Sequence, residues 1–177
     1  MSIADLILAL EHQGQLRRFL PPRTRLPAVR RLYLAVPAMK DFDDPHSAAN
    51  YFSGRSFVEG ALTRWVLGGR VWAVERRKKR EGGFLKRLEP PPNDVWEVKV
   101  TEPRPQVRLF GRFAEADTLI LTKFHLRDSL KEKGSSQWGA AMTECDNLWS
   151  ALFPRIPIYS KSTISDYVTR NCDDYPI

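Results

Sequence analysis

Trp96-Glu-Val-Lys-Val100 is the first of three neighbouring segments in which β-branched and aromatic residues alternate with polar ones. Val107-Arg-Leu-Phe-Gly-Arg-Phe113 is the second, and Leu119-Ile-Leu-Thr-Lys-Phe-His125 is the third. Short polar turns separate the segments, and the first turn contains Pro103 and Pro105. This composition and spacing predict a three-strand antiparallel meander.

Most polar positions in these segments are basic: Lys99, Arg108, Arg112, Lys123 and His125. Because side chains alternate between the two faces of a strand, Arg108 and Arg112 share one side of the middle strand, and Lys123 and His125 share one side of the last strand. If the register brings these sides together, the five side chains form a concave cationic surface. Arginine holds phosphate with two donors, and histidine or lysine moves protons, so such a surface suits a phosphodiester.

Two interpretations of this basic set are open. In the first, the cations are ordinary outward residues that pair across the sheet with Glu97, Glu102 and Glu115. In the second, they bind and cleave RNA. RNA cleavage needs no metal ion, because the 2′-hydroxyl of RNA can attack the neighbouring phosphate while cationic groups stabilise the developing charge.

The sequence contains none of the common motifs of nucleotide-hydrolysing or metal-dependent enzymes. It has no Walker-type loop, no Gly-x-Gly-x-x-Gly, no Gly-x-Ser-x-Gly and no His-Glu-x-x-His. His12, His46 and His125 are far apart, and none has a second metal ligand at helical spacing. We therefore predict no metal site and no cofactor.

Composition indicates a globular protein, because 42% of the 177 residues are hydrophobic and 28% are charged. No apolar run approaches the length of about 20 residues that spans a bilayer. Asp5 stands where a signal peptide carries basic residues, so no export signal is predicted. With only Cys145 and Cys172, we expect a reduced, cytoplasmic protein without a disulfide framework.

The net charge of +7 is unevenly distributed. Residues 1–92 hold 17 Lys and Arg against 9 Asp and Glu, whereas residues 93–177 hold 11 against 12. The strongest local signal is a run of five bases: Arg76, Arg77, Lys78, Lys79 and Arg80. This run is either a solvated connector or an arm that contacts phosphates, since clustered cations gain affinity by releasing counterions from nucleic acid.

Hydrophobic spacing predicts further elements around the meander. These are an amphipathic helix over 3–20, a strand over 30–36 that ends at Pro37, a helix over 46–67, and a strand or helix end over 70–75. The clearest helix has one continuous apolar face: Trp138, Ala141, Met142, Cys145, Leu148, Trp149 and Leu152. We expect it to pack on one face of the sheet, with Cys145 in the core.

Together these elements predict an α+β fold. The sheet would be small, twisted and antiparallel, with the three-strand meander and one N-terminal strand, and helices would pack on it. Residues 1–83 would form a helical N-terminal part with one or two short strands, either separate or completing the same domain. Residues 84–177 would contain the meander and the C-terminal helix.

The order of segments resembles the RelE/HigB-like toxins, including their phage-derived relatives. In that family a Leu-Trp-Glu-Leu-Arg strand precedes an Arg-x-x-Tyr/Phe strand and an apolar strand that ends in Phe and basic residues. The resemblance covers about residues 84–153 and includes Phe84-Leu-Lys-Arg-Leu88, the three meander segments and the helix after them. It implies a RelE-like fold, ribosome-dependent cleavage of mRNA and inhibition by a cognate antitoxin protein.

The resemblance also implies roles for individual residues. Arg108 matches the middle-strand arginine that contacts the scissile phosphate, and Lys99 stands where the family usually has arginine. Lys123, His125 and Arg127 stand where a basic cluster supplies phosphate contacts or acid–base groups. The predicted catalytic residues are therefore Arg108, His125 and Lys123, and the predicted RNA-binding residues are Lys99, Arg112, Arg127, Arg76, Arg77, Lys78, Lys79 and Arg80.

Two other function classes are open. A non-catalytic nucleic-acid- or ribosome-binding protein of phage or mobile-element origin would bind through the basic run and the cationic first half. A protein–protein adaptor would use the aromatic-rich residues 51–72 as its docking surface, although such aromatics are more often core. Tyr159 is a loose match to the C-terminal aromatic of some toxins.

Overall fold

The N-terminal region forms a helix and a strand, α1 (Ile3–His12) and β1 (Leu16–Arg18), where one helix was predicted over 3–20. The helix begins at a capping box between Ser2 and Asp5, and it ends just before Gly14, whose φ of 71° suits glycine. The structure is a computed structural model that describes residues 2–22, 24–47, 54–74, 83–88, 94–102 and 104–174.

The next elements are β2 (Arg31–Ala35), α2 (Val36–Asp43), α3 (Gly54–Val66) and β3 (Val71–Val74). Pro37 does not lead into a loop, because it occupies the first turn of α2, where its missing N–H costs no hydrogen bond. The predicted start of the second helix falls partly on residues 48–53, which lie outside the described ranges.

The remaining described residues contain the meander and the long helix. Their elements are β4 (Leu85–Arg87), β5 (Trp96–Val100), β6 (Val107–Glu115), β7 (Thr118–Leu126), α4 (Ser136–Leu152) and β8 (Cys172–Asp174). β5, β6 and β7 are consecutive antiparallel neighbours.

The strands of the described residues form one eight-stranded mixed sheet in the order β1-β2-β7-β6-β5-β4-β3-β8. β2 is parallel to β7, and β3 is parallel to β4 and β8. The predicted fold class, a small antiparallel sheet of the RelE-like kind, is therefore wrong, although the protein is α+β. The prediction failed because β1, β4 and β8 are too short for a clear alternating pattern, and because the parallel pairing of β2 with β7 joins distant segments.

Helices cover both faces of the sheet. On the first face, α2 and α3 pack through residues such as Phe42 and Trp65, and Tyr167 near the C-terminus joins the same core. On the second face, α4 packs through Trp138 and Trp149, and α1 lies beside it. Because both faces are covered, every residue of β5 is buried.

A bulge in β7 determines which side chains share a face. Phe110 lies opposite Lys123, but Gly111 lies opposite Leu121, so Thr122 is an extra residue in the pairing. The Thr122 hydroxyl donates a hydrogen bond of 3.0 Å to the Phe110 carbonyl oxygen. A Cβ on Gly111 would lie 2.1 Å from a backbone oxygen of β7, so glycine is required at this close approach.

Arg30 connects the sheet to the C-terminal tail. Its side chain is 1% exposed and donates to the carbonyl oxygens of Gly69 at 3.1 Å, of Trp65 at 3.5 Å and of Arg170. Its guanidinium carbon lies 4.8 Å from the centre of the Trp65 ring, and its Nε lies 3.7 Å from Asp117. This buried cation therefore joins β2, the end of α3 and the tail.

Candidate functional site

Five ionisable side chains lie together on the second face of the meander and its neighbour β4. The register places Lys99 opposite Arg108, and Arg108 opposite His125. On β5, two residues before Lys99, Glu97 lies opposite Lys86. Neighbouring strands are about 4.8 Å apart, so these side chains form one continuous group. We call it the charged row: Lys86, Glu97, Lys99, Arg108 and His125.

Glu97 is the centre of the charged row. Its carboxylate is fully buried, with Oε2 3.5 Å from Nε of Arg108 and Oε1 3.8 Å from Nζ of Lys99. Lys99 and Arg108 are only 6% and 7% exposed. Glu115 forms a separate ion pair with Arg31 at 2.6 Å. The row is therefore a buried ion-pair group. The first interpretation of the basic set named Glu97 as a partner, but it expected outward side chains, whereas Glu97, Lys99 and Arg108 are buried.

Arg108 is held in one orientation by several acceptors. In addition to its pair with Glu97, Nη1 donates to the Val107 carbonyl oxygen at 3.1 Å and Nη2 donates to Oε1 of Gln106 at 2.9 Å. A fixed guanidinium is a preorganised charge, which is what stabilises a transition state most effectively. Gln106 is half-buried, so its contact with Arg108 lies nearer the surface than the pair with Glu97 does.

Of the three residues that lie opposite one another, Lys99, Arg108 and His125, the most accessible is His125. It is half-buried, its ring centre lies 5.2 Å from that of Phe110, and its buried Nε2 has no hydrogen-bond partner within the described residues. Burial lowers the pKa of His125, Lys123 lowers it further, and Glu144 and Asp41 oppose the shift. The imidazole is therefore mainly neutral at pH 7, as a proton acceptor must be.

The other predicted residues of the meander are held elsewhere. Lys123 pairs with Asp41 of α2 at 3.2 Å, and the same carboxylate accepts a 3.1 Å hydrogen bond from the Phe124 N–H. Arg112 is 1% exposed and pairs with Asp146 of α4. The structure therefore brings Lys99, Arg108 and His125 together, and it uses Lys123 and Arg112 to anchor helices.

Arg127 lies beyond the end of β7, where its guanidinium carbon is 5.8 Å from the centre of the Trp138 ring and it donates to the Lys131 carbonyl oxygen. The predicted RNA-binding run, residues 76–80, lies outside the described residues.

Tyr159 belongs to the core of the first face, and its hydroxyl donates to the Asp166 carbonyl oxygen at 2.9 Å. It is therefore on the opposite side of the sheet from Arg108.

The aromatic residues of the proposed adaptor surface divide into two groups. Trp65 is a core residue at 1% exposure, whereas Phe57 and Trp72 are 50% and 38% exposed. Phe57 lies on α3 and Trp72 on β3, whereas Tyr51 and Phe52 lie outside the described residues. Trp65 therefore does not belong to an exposed docking surface with Phe57 and Trp72.

Lys86 is the member of the charged row that sequence reasoning did not identify. It is 8% exposed, and it lies on the face of β4 that Glu97 shares on β5. Burial, then Lys133 and Lys99, lower the pKa of Lys86 to about 8, while Glu97 opposes the shift. The only signal in Phe84-Leu-Lys-Arg-Leu88 is that alternation places Lys86 on the face opposite that of Leu85 and Arg87, and three residues are too few to establish this pattern.

Within the described ranges, no three His, Cys, Asp or Glu side chains meet in a way that could hold a metal ion. None of the helices in those ranges is both long enough and apolar enough to cross a bilayer. Comparison of the chain with protein-family models, curated proteins and solved structures found no match.

Proposed function

We propose that this chain is an endoribonuclease that cleaves mRNA without a metal ion, in the manner of a RelE/HigB-like toxin. The observation that supports the proposal is the register that sets Lys99, Arg108 and His125 opposite one another on three neighbouring strands. The sequence resemblance adds cleavage at the ribosome and inhibition by a cognate antitoxin protein, and the low cysteine content supports a cytoplasmic location.

In the proposed reaction, the neutral imidazole of His125 takes the proton from a 2′-hydroxyl of the RNA. The 2′-oxygen forms a bond to the adjacent phosphorus, the bond from phosphorus to the 5′-oxygen breaks, and the leaving 5′-oxygen takes a proton from solvent. Arg108, supported by Lys99, stabilises the negative charge that develops on the phosphoryl oxygens. The products are a 2′,3′-cyclic phosphate and a 5′-hydroxyl.

Access to the charged row runs past two half-buried side chains, His125 in the row and Gln106 beside Arg108. RNA reaches His125 first, and its phosphate replaces Gln106 on the guanidinium of Arg108. Glu97 keeps its position behind the arginine. In this order of contacts, the half-buried His125 transfers the proton and the buried Arg108 stabilises the charge.

The test uses ribosomes programmed with a defined mRNA, and inducible expression of the same variants in bacteria. The expected result is mRNA cleavage and growth arrest by the native chain. His125→Gln is expected to lower the cleavage rate about 100-fold or more, the usual size of a general-base contribution. Arg155→Gln, at an exposed arginine outside the row, is the matched control and should match the native rate.

Circular dichroism checks that each variant is folded. The proposal fails if the native chain leaves the mRNA intact, or if folded His125→Gln and Arg108→Gln cleave as fast as Arg155→Gln. A cleaved mRNA whose new ends are a 3′-hydroxyl and a 5′-phosphate, and not a 2′,3′-cyclic phosphate and a 5′-hydroxyl, would also overturn the mechanism, because the 2′-hydroxyl would not then be the nucleophile.

A second candidate function is RNA binding without catalysis, because Glu97 already occupies Arg108 and Lys99 while exposed arginines lie elsewhere. Arg18 and Arg55 line a groove of about 320 Å³ between β1, α2 and α3. If each arginine neutralises one phosphate, Arg18→Gln with Arg55→Gln should make the salt dependence of RNA binding shallower, by about 0.7–0.9 in the log–log slope for each arginine replaced. Binding that is insensitive to salt, or unchanged in this double variant, would exclude the groove.

A further inference from the structure

The strand β1 has a free edge. It is the first strand in the order of the sheet, and among the described residues it pairs with β2 alone. The Phe19 N–H donates to the Leu32 carbonyl oxygen at 2.9 Å, and the direction of main-chain hydrogen bonds alternates along an antiparallel strand. Arg17 therefore bonds towards β2, whereas the N–H and C=O of Arg18 point away from it. An unpaired edge of this kind is a template for an added strand.

A groove of about 320 Å³ lies beside this edge, on the first face of the sheet. Its apolar lining includes Phe19, Leu34 and Phe42, which belong to the core of that face, and the ring centres of Phe19 and Phe42 lie 5.9 Å apart. Leu20 also lines the groove, and it is 68% exposed. An apolar side chain that entered the groove would therefore remove both its own surface and that of Leu20 from water.

The charged residues that line the groove carry both signs. Arg17 is neutralised by Asp43, to which it donates two hydrogen bonds of 2.7 and 3.0 Å. Arg55 is exposed, its guanidinium carbon lies 4.9 Å from the centre of the Phe42 ring, and it forms no ion pair with a described residue. The carboxylates of Asp43 and Glu59 repel the backbone of a nucleic acid, whereas a peptide with a single acidic residue can pair with Arg55.

We propose that β1 and this groove bind an extended peptide segment of a partner protein, in which an apolar or aromatic residue and an acidic residue stand two positions apart. The segment adds to the sheet as a strand, with main-chain hydrogen bonds to Arg18. Residues two positions apart point to the same face of a strand, so the apolar side chain enters the groove while the acidic one pairs with Arg55.

This inference does not depend on the proposed ribonuclease activity. The groove lies on the first face of the sheet, and the charged row lies on the second. Peptide binding and mRNA cleavage can therefore be measured separately. Peptide binding by a chain that leaves mRNA intact would reject the ribonuclease and keep the peptide site.

The experiment selects binders to the full chain from a random twelve-residue peptide library displayed on phage. The binding of a selected peptide is then measured by fluorescence anisotropy, and the expected peptides carry Asp or Glu two positions from an apolar or aromatic residue. Arg55→Glu replaces an attraction with a repulsion, so it should weaken binding about 10-fold. Arg155→Glu makes the same change of charge at an exposed residue outside the groove, and it should leave binding unchanged.

A second pair of variants tests the added strand. Arg18→Ala and Arg18→Pro both remove the arginine side chain, but only proline removes the outward N–H, which the pairing of β1 with β2 does not use. Arg18→Pro should bind the peptide several-fold more weakly than Arg18→Ala. In the native chain, the bound peptide should slow hydrogen exchange of the Arg18 amide about 10-fold or more, with little change at Arg17, as measured by NMR.

The inference is overturned if the library yields no binder, or if Arg55→Glu and Arg155→Glu bind the selected peptide equally well. It is also overturned if the Arg18 amide exchanges as fast with the peptide bound as without it. A twelve-nucleotide oligoribonucleotide is the competing ligand. If it binds the native chain more tightly than the peptide does, and Arg55→Glu abolishes that binding, the groove is a site for RNA and not for a peptide.

Discussion

Oε2 of Glu97 lies 3.5 Å from Nε of Arg108, across the pair of strands β5 and β6. The arginine predicted to hold a phosphate is therefore already held by a carboxylate that is fully buried. A buried pair of this kind costs desolvation energy for both ions, so it is weak evidence for stability as such. The pair with Glu97 does fix the position of the Arg108 guanidinium. A catalytic site needs a cation in a fixed position, and a solvated side chain is not fixed.

Glu97→Gln should destabilise the fold by about 3 kcal/mol, because it leaves buried cations without their carboxylate. The measurement is urea unfolding of the single variant, of Arg108→Met and of the double variant. Since the two residues interact, we expect a coupling free energy of at least about 1 kcal/mol in this cycle. Simple additivity of the two single effects would show that the 3.5 Å approach makes no energetic contribution.

The lowered pKa of His125 predicts a loss of stability in acid. Burial lowers this pKa in the folded chain, so the unfolded chain binds more protons as the pH falls from about 6.5 through the folded value. The free energy of unfolding should therefore decrease over that window in the native chain, and less steeply in His125→Gln. His46→Gln, at an exposed histidine, is the control. Parallel curves for the native chain and His125→Gln would refute the assignment.

The lowered pKa of Lys86 predicts a gain of stability at high pH. Between about 8 and 10.5 the unfolded chain binds more protons at this site, so the folded state gains stability as the pH rises. Compared with Lys86→Met, the native chain should gain up to about 3 kcal/mol between pH 7 and pH 11. Urea unfolding at both pH values measures the difference, in which groups common to both chains cancel. A difference that does not change with pH would contradict the prediction.

The two cysteines should differ in reactivity. Cys145 is 1% exposed, and burial raises the pKa of its thiol to about 11. Reagents therefore reach the sulfur poorly, and little of the reactive thiolate forms at neutral pH. Cys172 is half-buried. Native protein treated with iodoacetamide at pH 8 should be labelled at Cys172 first, with Cys145 labelled only after unfolding in urea. Equal labelling rates in the native chain would show that α4 opens readily from the sheet.

The sequence predicted the strands and the helix whose hydrophobic residues repeat regularly along the chain. The meander strands alternate over at least five residues, and the apolar face of α4 repeats over four turns, so both are visible in the sequence. The buried position of Arg112 was not visible, because its partner Asp146 lies 34 residues away on α4. The central role of Glu97 was considered only as a surface pairing, since alternation gives the face of a residue but not what covers that face.

The position of His125 was predicted only conditionally, because alternation within β7 cannot reveal an extra residue at Thr122. Lys86 was missed for a related reason: β4 has three residues, too few to establish a face by pattern alone. Its place in the charged row becomes visible only from its pairing with Glu97 across β4 and β5.

Because of the bulge at Thr122, the number of residues between Leu121 and His125 determines which face of the sheet the histidine lies on. If regular pairing continued from Gly111 and Leu121, Phe124 rather than His125 would lie opposite Arg108. A single insertion between Leu121 and His125 would therefore carry the histidine to the first face of the sheet. Divergent relatives of this chain should consequently be recognised by a conserved interval between Leu121 and His125, even where their basic residues have changed.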